Sequence, residues 1–150
     1  APQPVHYVGI NSKLRWKQLE FAFSGRANFG NYVYNNVASE NGVWERLYRP
    51  EGPYLGNVSN YVYDTDFNNP RYFSDYYVQP ADFFRMDYIS LSYLMPNLGG
   101  SRVSLRLSFT VNNAFVICEY KGLDPEILNV IDNNIYPRPR GYVLGVNLVF

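Results

Sequence analysis

The sequence predicts an all-β fold, an antiparallel segment of a transmembrane β-barrel, and three observations support this. Five segments alternate apolar and polar residues with the two-residue period of a strand. Strand-forming aromatics are abundant, with 15 Tyr and 10 Phe among 150 residues. The sequence has no apolar run of about 18 residues, so it predicts no transmembrane helix.

The five strands are expected at separate places along the chain, in segments that alternate cleanly. The fourth is the most regular, with Leu105, Leu107 and Phe109 on one face and Arg106 and Ser108 on the other. The expected strands cover roughly residues 5–16, 19–29, 83–95, 102–113 and 141–150.

The last segment carries the pattern typical of an outer-membrane strand. Tyr142, Leu144, Val146, Leu148 and Phe150 share one parity, and the other parity carries smaller, mixed residues. An apolar outward face with an aromatic residue at the end is how such barrels present a strand to lipid. We expect Phe150 to matter for barrel assembly.

The connections between the strands differ in length. Two are short, at Lys17-Gln18 and at residues 96–100, where Pro, Asn and Gly predict a turn. Two are long, at residues 30–82 and 114–140. Outer-membrane barrels have short periplasmic turns and long extracellular loops. The sequence therefore predicts a multi-pass outer-membrane segment with extracellular long loops and a periplasmic C-terminus.

Five strands cannot close a barrel, because the two edges would leave unpaired backbone groups in hydrocarbon. We therefore expect the remaining strands of the barrel to lie outside this chain. Residues 1–4 do not resemble a signal peptide, so we expect the chain to be a downstream piece of a longer protein or a mature form. A soluble β-sandwich is the alternative. It is disfavoured because five strands form two layers poorly and loops of this length are unusual in compact domains.

Charge and cysteine content exclude several classes of function. The formal net charge is zero, with 13 basic and 13 acidic residues, so there is no basic excess for binding nucleic acid. One cysteine, Cys118, excludes an internal disulfide framework and a cysteine-rich zinc site.

Several motifs carry a resemblance to a known family. They are Gly9-Ile10-Asn11 leading to Trp16-Lys17, residues 29–35, residues 83–96, residues 120–126, and Tyr136-Pro137-Arg138-Pro139-Arg140 through to Phe150. Together these stretches cover nearly the whole chain. The chain resembles the C-terminal end of the SusC-like (RagA-like) TonB-dependent transporters of Bacteroidetes outer membranes. Cys118 stands where that family usually has Thr or Ser.

The resemblance implies a fold, an activity and partners. The family fold is a barrel of about 22 strands filled by an N-terminal plug, and this chain would supply the last five strands. The implied activity is energy-coupled import of oligosaccharides or peptides. The implied partners are the remainder of the barrel and its plug, a SusD-like surface lipoprotein, TonB acting through the absent N-terminal part, and the lipid bilayer.

No catalytic constellation is expected, and we predict that the chain is not an enzyme. His6 is the sole histidine, so a Ser-His-Asp triad would have to use it. Its place near the amino end beside Pro4 favours a loop or interfacial role.

One acidic stretch has the ligand spacing of a calcium-binding loop. Asp64, Asp66 and Asn68 space oxygen ligands as such a loop does, and Asp75 falls twelfth. Against this, Asn69 takes the place of the usual glycine and Pro70 prevents a following helix. A loop rich in Asx turns is the preferred interpretation, with a bound Ca²⁺ as the alternative and no other cofactor expected.

The first long connection is rich in aromatic residues that suit contact with a ligand or partner. Flat rings with Asn and Asp neighbours bind oligosaccharides or peptides, and they equally suit packing between loops or against a lipoprotein. The candidate contact residues are Trp44, Tyr54, Tyr61, Tyr63 and Tyr76.

Two other functions remain open at this point. The first is an uncoupled porin or structural barrel, which the upstream sequence would decide. The second is a soluble all-β carbohydrate-binding module, which solubility without detergent would decide.

Overall fold

The computed structural model describes residues 3–47, 56–100 and 102–149. The chain divides into two compact units. The strand unit contains residues 6–29, 83–118 and 138–150, and the loop unit contains residues 1–5, 30–82 and 119–137. Tyr54 and Phe150, both singled out from the sequence, lie outside the described residues.

Within the described residues, the regular structure consists of eight strands, two short α-helices and three short 3-10 turns. The strands are β1 His6–Trp16, β2 Leu19–Phe29, β3 Tyr32–Asn35, β4 Val78–Pro80, β5 Phe83–Met95, β6 Ser104–Cys118, β7 Ile131–Asp132 and β8 Gly141–Val149, and the helices are α1 Asn36–Asn41 and α2 Tyr61–Thr65. Within the described residues, neither helix is long and apolar enough to cross a membrane.

The strand unit is one antiparallel sheet in the order β1-β2-β5-β6-β8. This confirms the predicted all-β antiparallel fold. Residues 114–118 were expected in a long connection, but they continue β6. The strand predicted from the sequence ended at residue 113. Asn113 does adopt left-handed backbone, at φ 49°, yet the chain then resumes pairing with β5 through Phe115.

Cross-strand pairing gives the sheet two chemically different faces. Trp16, Leu19, Tyr93, Leu107 and Val146 lie in one register row, and residues paired across strands point to the same face. The adjoining row has Arg15, Glu20, Ser92, Ser108 and Gly145 on the opposite face. We call these the apolar face and the polar face.

A β-bulge at Asp87 interrupts the alternation in β5. The register shifts between Met86 and Tyr88, so Phe84 and Met86 share the apolar face with Ile89 although their parities differ. A bulge adds one residue to one strand and reverses the faces beyond it. The bulged Asp87 accepts a hydrogen bond from Arg26 Nε at 3.1 Å.

A second link stabilises the polar face beside the bulge. Arg85 is buried, and its Nη1 donates to Oδ1 of Asn113 at 2.7 Å. Nδ2 of Asn113 donates in turn to the backbone oxygen of Arg138 at 2.7 Å. In β6, Asn113 and Ala114 lie opposite the single residue Asp87 of β5. This irregular part of β6 is thereby tied to the segment that leads into β8.

The short connections have the expected turn geometry. Lys17 has φ 53°, and its ammonium lies 5.5 Å from the centroid of the Trp16 ring. In the second connection Asn97, Gly99 and Gly100 have positive φ, which Asn and Gly tolerate better than other residues.

The loop unit contains its own small sheet, in the order β4-β3-β7. β3 pairs antiparallel with β4 and parallel with β7, so one strand joins the two long connections. Beneath it lies a core of fully buried residues, which includes Val33, Val43, Val62, Tyr77 and Ala81. The long connections are therefore folded around a core rather than irregular.

Candidate functional site in the loop unit

Three hollows in the loop unit meet at Tyr61 and Lys121. Their volumes are about 290, 320 and 290 Å³, and both residues line all three. The first hollow also has Asn35 and Asp132, the second has Tyr76, Gln79 and Glu119, and the third has Ser59 and Asp64. The volumes lie at the lower end of the range for ligand sites, and their contiguity suits an extended ligand.

The side chain of Gln79 holds the two central residues together. Its Nε2 donates to the hydroxyl of Tyr61 at 3.1 Å, and its Oε1 accepts from the backbone N–H of Lys121 at 3.4 Å. Tyr61 is the first residue of α2, and the next residue, Val62, is fully buried. Packing of Val62 thus fixes the helix and leaves the Tyr61 ring half-buried at the hollows.

Lys121 supplies the cation of the site. Its ammonium lies 5.7 Å from the centroid of the Tyr61 ring, within the range of a cation–π interaction. In the part of the chain that the structure describes, Lys121 forms no ion pair, although Glu119 and Asp64 line neighbouring hollows. The site therefore offers an ammonium, carboxylates, an amide and aromatic faces, which suit binding of a polar ligand.

A buried pair supports the floor of the first hollow. The hydroxyl of Tyr120 donates to Oδ2 of Asp132 at 2.7 Å, and both side chains are buried. Burial, and secondly the hydrogen bond to Asp132, raise the pKa of Tyr120 well above the ordinary tyrosine value. Tyr120 therefore stays a neutral donor at physiological pH and holds the residue before Lys121 in place.

A second buried tyrosine, Tyr77, lies in the core of the loop unit. Tyr77 is fully buried, and burial raises its pKa, with smaller contributions from Tyr76 and Tyr34. The Tyr76 ring meets the Tyr77 ring edge-on, with 5.2 Å between centroids. Tyr77 thus anchors the turn that presents Tyr76 to the second hollow.

The structure brings together some of the contact residues predicted from the sequence. Tyr61 and Tyr76 line the same hollow. Trp44 and Tyr63 form a separate pair, with centroids 6.1 Å apart, and Trp44 Nε1 donates to Oδ1 of Asp66 at 2.7 Å. This pair lines none of the three hollows. Tyr54 lies outside the described residues.

The residues considered as calcium ligands do not form a cluster. Asp64 lies within α2, Asp66 caps its end in left-handed backbone at φ 51°, and Asp75 begins a separate turn. Asn68 uses its backbone oxygen to accept from Glu45 N–H at 2.9 Å. Across residues 3–47, 56–100 and 102–149, no three or more His, Cys, Asp or Glu side chains gather to hold a metal ion.

Sequence reasoning missed Gln79 and Lys121. Lys121 belongs to the stretch 120–126 that carried the family resemblance. Its place in the site depends on contact with Gln79, which is distant along the chain. Gln79 lies in β4, which forms only because β3 is available to pair with it. Neither residue stands in a local pattern that points to a site.

Comparison with known proteins confirms the resemblance read from the sequence. No family model matches the chain. The TonB-dependent receptor SusC of Bacteroides thetaiotaomicron is 37% identical over 156 residues, which cover 95% of this chain and 15% of that protein. TonB-dependent receptor P26 of Formosa agariphila is 26% identical over 174 residues, 100% of this chain and 17% of that protein. The chain thus spans about a sixth of the curated relatives it matches.

Solved structures support the same fold. A structure of the RagAB peptide transporter superposes with a TM-score of 0.77 at 21% identity, covering 97% of this chain and 17% of that chain. The RagAB peptide importer in its 'open-open' state gives a TM-score of 0.76 at 20% identity, covering 100% and 18%. The described sheet is therefore a fragment of a larger TonB-dependent barrel.

Proposed function

We propose that this chain, which belongs to the SusC-like TonB-dependent receptors, forms barrel wall and extracellular loops of a nutrient importer in an outer membrane. The observation that carries the proposal is the open sheet. Among the described residues, β1 and β8 each pair on one side only. Such edges are costly in hydrocarbon, so the strands belong in a closed barrel completed by the rest of the receptor.

The two faces of the sheet assign its orientation in that barrel. Leu14, Trp16, Leu144 and Val146 expose apolar side chains on the apolar face, which would contact lipid. The polar face, with Lys13 paired to Glu20 at 3.1 Å, would face the lumen. The short connections would lie at the periplasmic side with the C-terminus, and the loop unit would lie outside.

The cargo proposed for the receptor is an oligosaccharide or a peptide. The hollows around Tyr61 and Lys121 support this, because aromatic faces with nearby amide, carboxylate and ammonium groups bind polar chains. Energy would come from TonB through the N-terminal part of the receptor, and a SusD-like lipoprotein would cover the extracellular face. The likeness to RagAB structures supports the two-component arrangement.

Uptake by the complete receptor tests the import function. A strain that carries the receptor should take up labelled cargo only while TonB and the proton-motive force are intact. Deleting TonB should abolish uptake but leave the amount of receptor in the outer membrane unchanged. Uptake that persists without TonB would instead identify an uncoupled porin.

Binding measurements test the hollows separately. Tyr61→Ala and Tyr76→Ala in the complete receptor should each weaken cargo binding about tenfold, equivalent to about 1.4 kcal/mol. Tyr136→Ala is the matched control, since Tyr136 is an exposed tyrosine of the same unit that lines none of the three hollows. Unchanged binding in both test variants would remove these hollows from the cargo path.

The solubility of residues 1–150, expressed alone, tests the alternative function of a soluble binding module. We expect no stable monomer, because the edges and the apolar face would be exposed to water. A sharp cooperative melt of a detergent-free monomer would contradict the barrel proposal.

A further inference from the structure

Asn41 and Gly42 form a chemically labile pair at the end of α1. The dipeptide Asn-Gly occurs once in the sequence. Asparagine is a thermolabile residue. Glycine is the neighbour that protects it least, because glycine has no side chain to hinder the approach of its backbone nitrogen. The pair is therefore a place at which this chain can be modified without an enzyme.

The reaction at this pair is deamidation, and it needs only water. The backbone nitrogen of Gly42 loses its proton and attacks Cγ of Asn41, so that a bond forms between these two atoms. The bond from Cγ to Nδ2 breaks, and Nδ2 takes up the proton and leaves as ammonia. Water then opens the cyclic imide at one of its two carbonyl carbons. One route leaves Asp at position 41, and the other leaves an isoaspartyl linkage in which the backbone runs through Cγ.

The peptide group that joins Asn41 to Gly42 is hydrogen-bonded on both sides. Its N–H, from Gly42, donates to the backbone oxygen of Ala38 at 2.8 Å at the end of α1. Its oxygen, from Asn41, accepts from the backbone N–H of Ser59 at 2.7 Å. While α1 is closed, these two bonds keep the proton on the nitrogen and hold the peptide group in place.

Packing explains why glycine occupies position 42 despite this lability. Gly42 is buried, and an added Cβ would lie 2.6 Å from the backbone oxygen of Ala38 and 2.9 Å from Cβ of Tyr61. A larger residue would therefore push the end of α1 away from Tyr61, and overpacking of this kind is destabilising. The close approach of the two segments requires glycine, and glycine makes Asn41 reactive.

We infer that Asn41–Gly42 is a deamidation site whose reactivity is controlled by the end of α1. Local opening of α1 releases the Gly42 nitrogen and allows the reaction, and closing of α1 stops it. An isoaspartyl linkage adds one methylene to the backbone, which displaces Gly42 from Ala38 and Tyr61 and prevents full closure afterwards. The modification thus makes a transient opening of the loop unit permanent. This chemistry is independent of the cargo and of the import function.

Mass spectrometry of peptides from the complete receptor measures the reaction. The receptor is incubated at mildly alkaline pH, either folded in detergent or unfolded in guanidinium chloride, and the acid form of residue 41 is followed over time. Unfolding should accelerate conversion of Asn41 by about tenfold or more, because it removes the need for a local opening. Asn41→Gln should abolish the signal. Equal rates in the folded and unfolded receptor, or no conversion in the unfolded receptor, would overturn the inference.

An N-cap variant tests whether α1 is the protecting element. Oδ1 of Asn35 accepts from the backbone N–H of Ala38 at 2.9 Å at the start of α1. Asn35→Ala removes this cap, so conversion of Asn41 in the folded receptor should accelerate about fivefold, equivalent to about 1 kcal/mol. Asn68→Ala removes the same amide from an exposed position outside α1 and should change the rate less than about twofold. An unchanged rate in Asn35→Ala would show that α1 does not protect Asn41.

Hydrogen exchange provides a second measurement on the unmodified receptor, which does not depend on the folding of a variant. The N–H of Gly42 exchanges only when its bond to Ala38 opens. Increasing urea below the unfolding transition should therefore raise exchange at Gly42 and conversion of Asn41 in parallel. Conversion that does not follow this exchange would contradict the inference. In converted receptor, exchange in residues 59–65 should be faster, because this segment loses its contacts with positions 41 and 42, and unchanged exchange there would contradict the predicted loss of closure.

Discussion

The hydroxyl of Tyr120 donates a 2.7 Å hydrogen bond to Oδ2 of Asp132, and both side chains are buried. The other carboxylate oxygen, Oδ1, accepts from the backbone N–H of Asn134 at 3.0 Å and of Ile135 at 3.3 Å. One carboxylate therefore joins the two ends of the segment 119–137 and supports the residue next to Lys121.

Tyr120→Phe should destabilise the loop unit. The variant leaves a buried carboxylate oxygen without the phenol donor, which costs about 1–3 kcal/mol. Hydrogen exchange of backbone amides in residues 119–137 of the complete receptor should accelerate accordingly. Tyr136→Phe removes the same hydroxyl from an exposed ring and should change nothing. Equal protection in the two variants would mean that the buried bond contributes little.

The same pair should make the loop unit sensitive to alkali. The folded pKa of Tyr120 lies above its ordinary value of 10.0, so the stabilisation is complete below about pH 10. Above that pH the unfolded segment loses its proton first, and stability falls as pH rises. Proteolytic cleavage within residues 119–137 should therefore accelerate from about pH 9 to about pH 11. The increase of the cleavage rate with pH should be smaller in Tyr120→Phe. Parallel pH profiles of the two proteins would argue against Tyr120 as the group responsible.

Gly122→Ala should disturb the buried pair by steric overlap. A Cβ at this position would overlap Cε1 of the Tyr120 ring and lie 2.7 Å from Oδ2 of Asp132. Since both neighbours are buried, neither can move away freely, and the cost should be about 1–3 kcal/mol. Gly9→Ala is the control, because no described atom lies within 4 Å of its added Cβ. Comparison of unfolding free energies for the two variants measures the difference.

Leu107→Arg should impair barrel insertion. Leu107 lies on the apolar face, where an Arg near the membrane midplane costs about 2–4 kcal/mol. The fraction of receptor in the folded, heat-modifiable form should fall. Single cysteines check the orientation, since position 107 should react with a lipid-phase probe and position 106 with an aqueous one. The reverse labelling would exchange the assignment of the two faces.

The local pattern of the sequence was sufficient to predict the strands of the sheet. Alternation at Leu105, Leu107 and Phe109 corresponds to one face because pairing in β6 is regular there. It was not sufficient at Asp87, where a bulge reverses the faces and places Met86 beside Ile89. A bulge depends on how neighbouring strands align, and alternation within one strand does not report this.

The site depended on contacts that no local pattern specifies. Tyr61 was predicted as a contact residue because the first long connection is rich in aromatic residues, and it does line the hollows. Its neighbours Gln79 and Lys121 are distant along the chain and meet it only after β3 pairs with β4. The calcium hypothesis used ligand spacing alone, but the α2 helix and the turn at Asp75 set their own side-chain directions.

The parallel pairing of Tyr34 with Ile131 means that the two long connections form one sheet between them. In a chimera that takes only residues 30–82 from a relative, the imported β3 would have to pair with the β7 of the recipient protein. In a chimera that takes only residues 119–137, the imported β7 would have to pair with the β3 of the recipient protein. We therefore expect a graft of both connections together to preserve this small sheet, and a graft of either connection alone to disturb it.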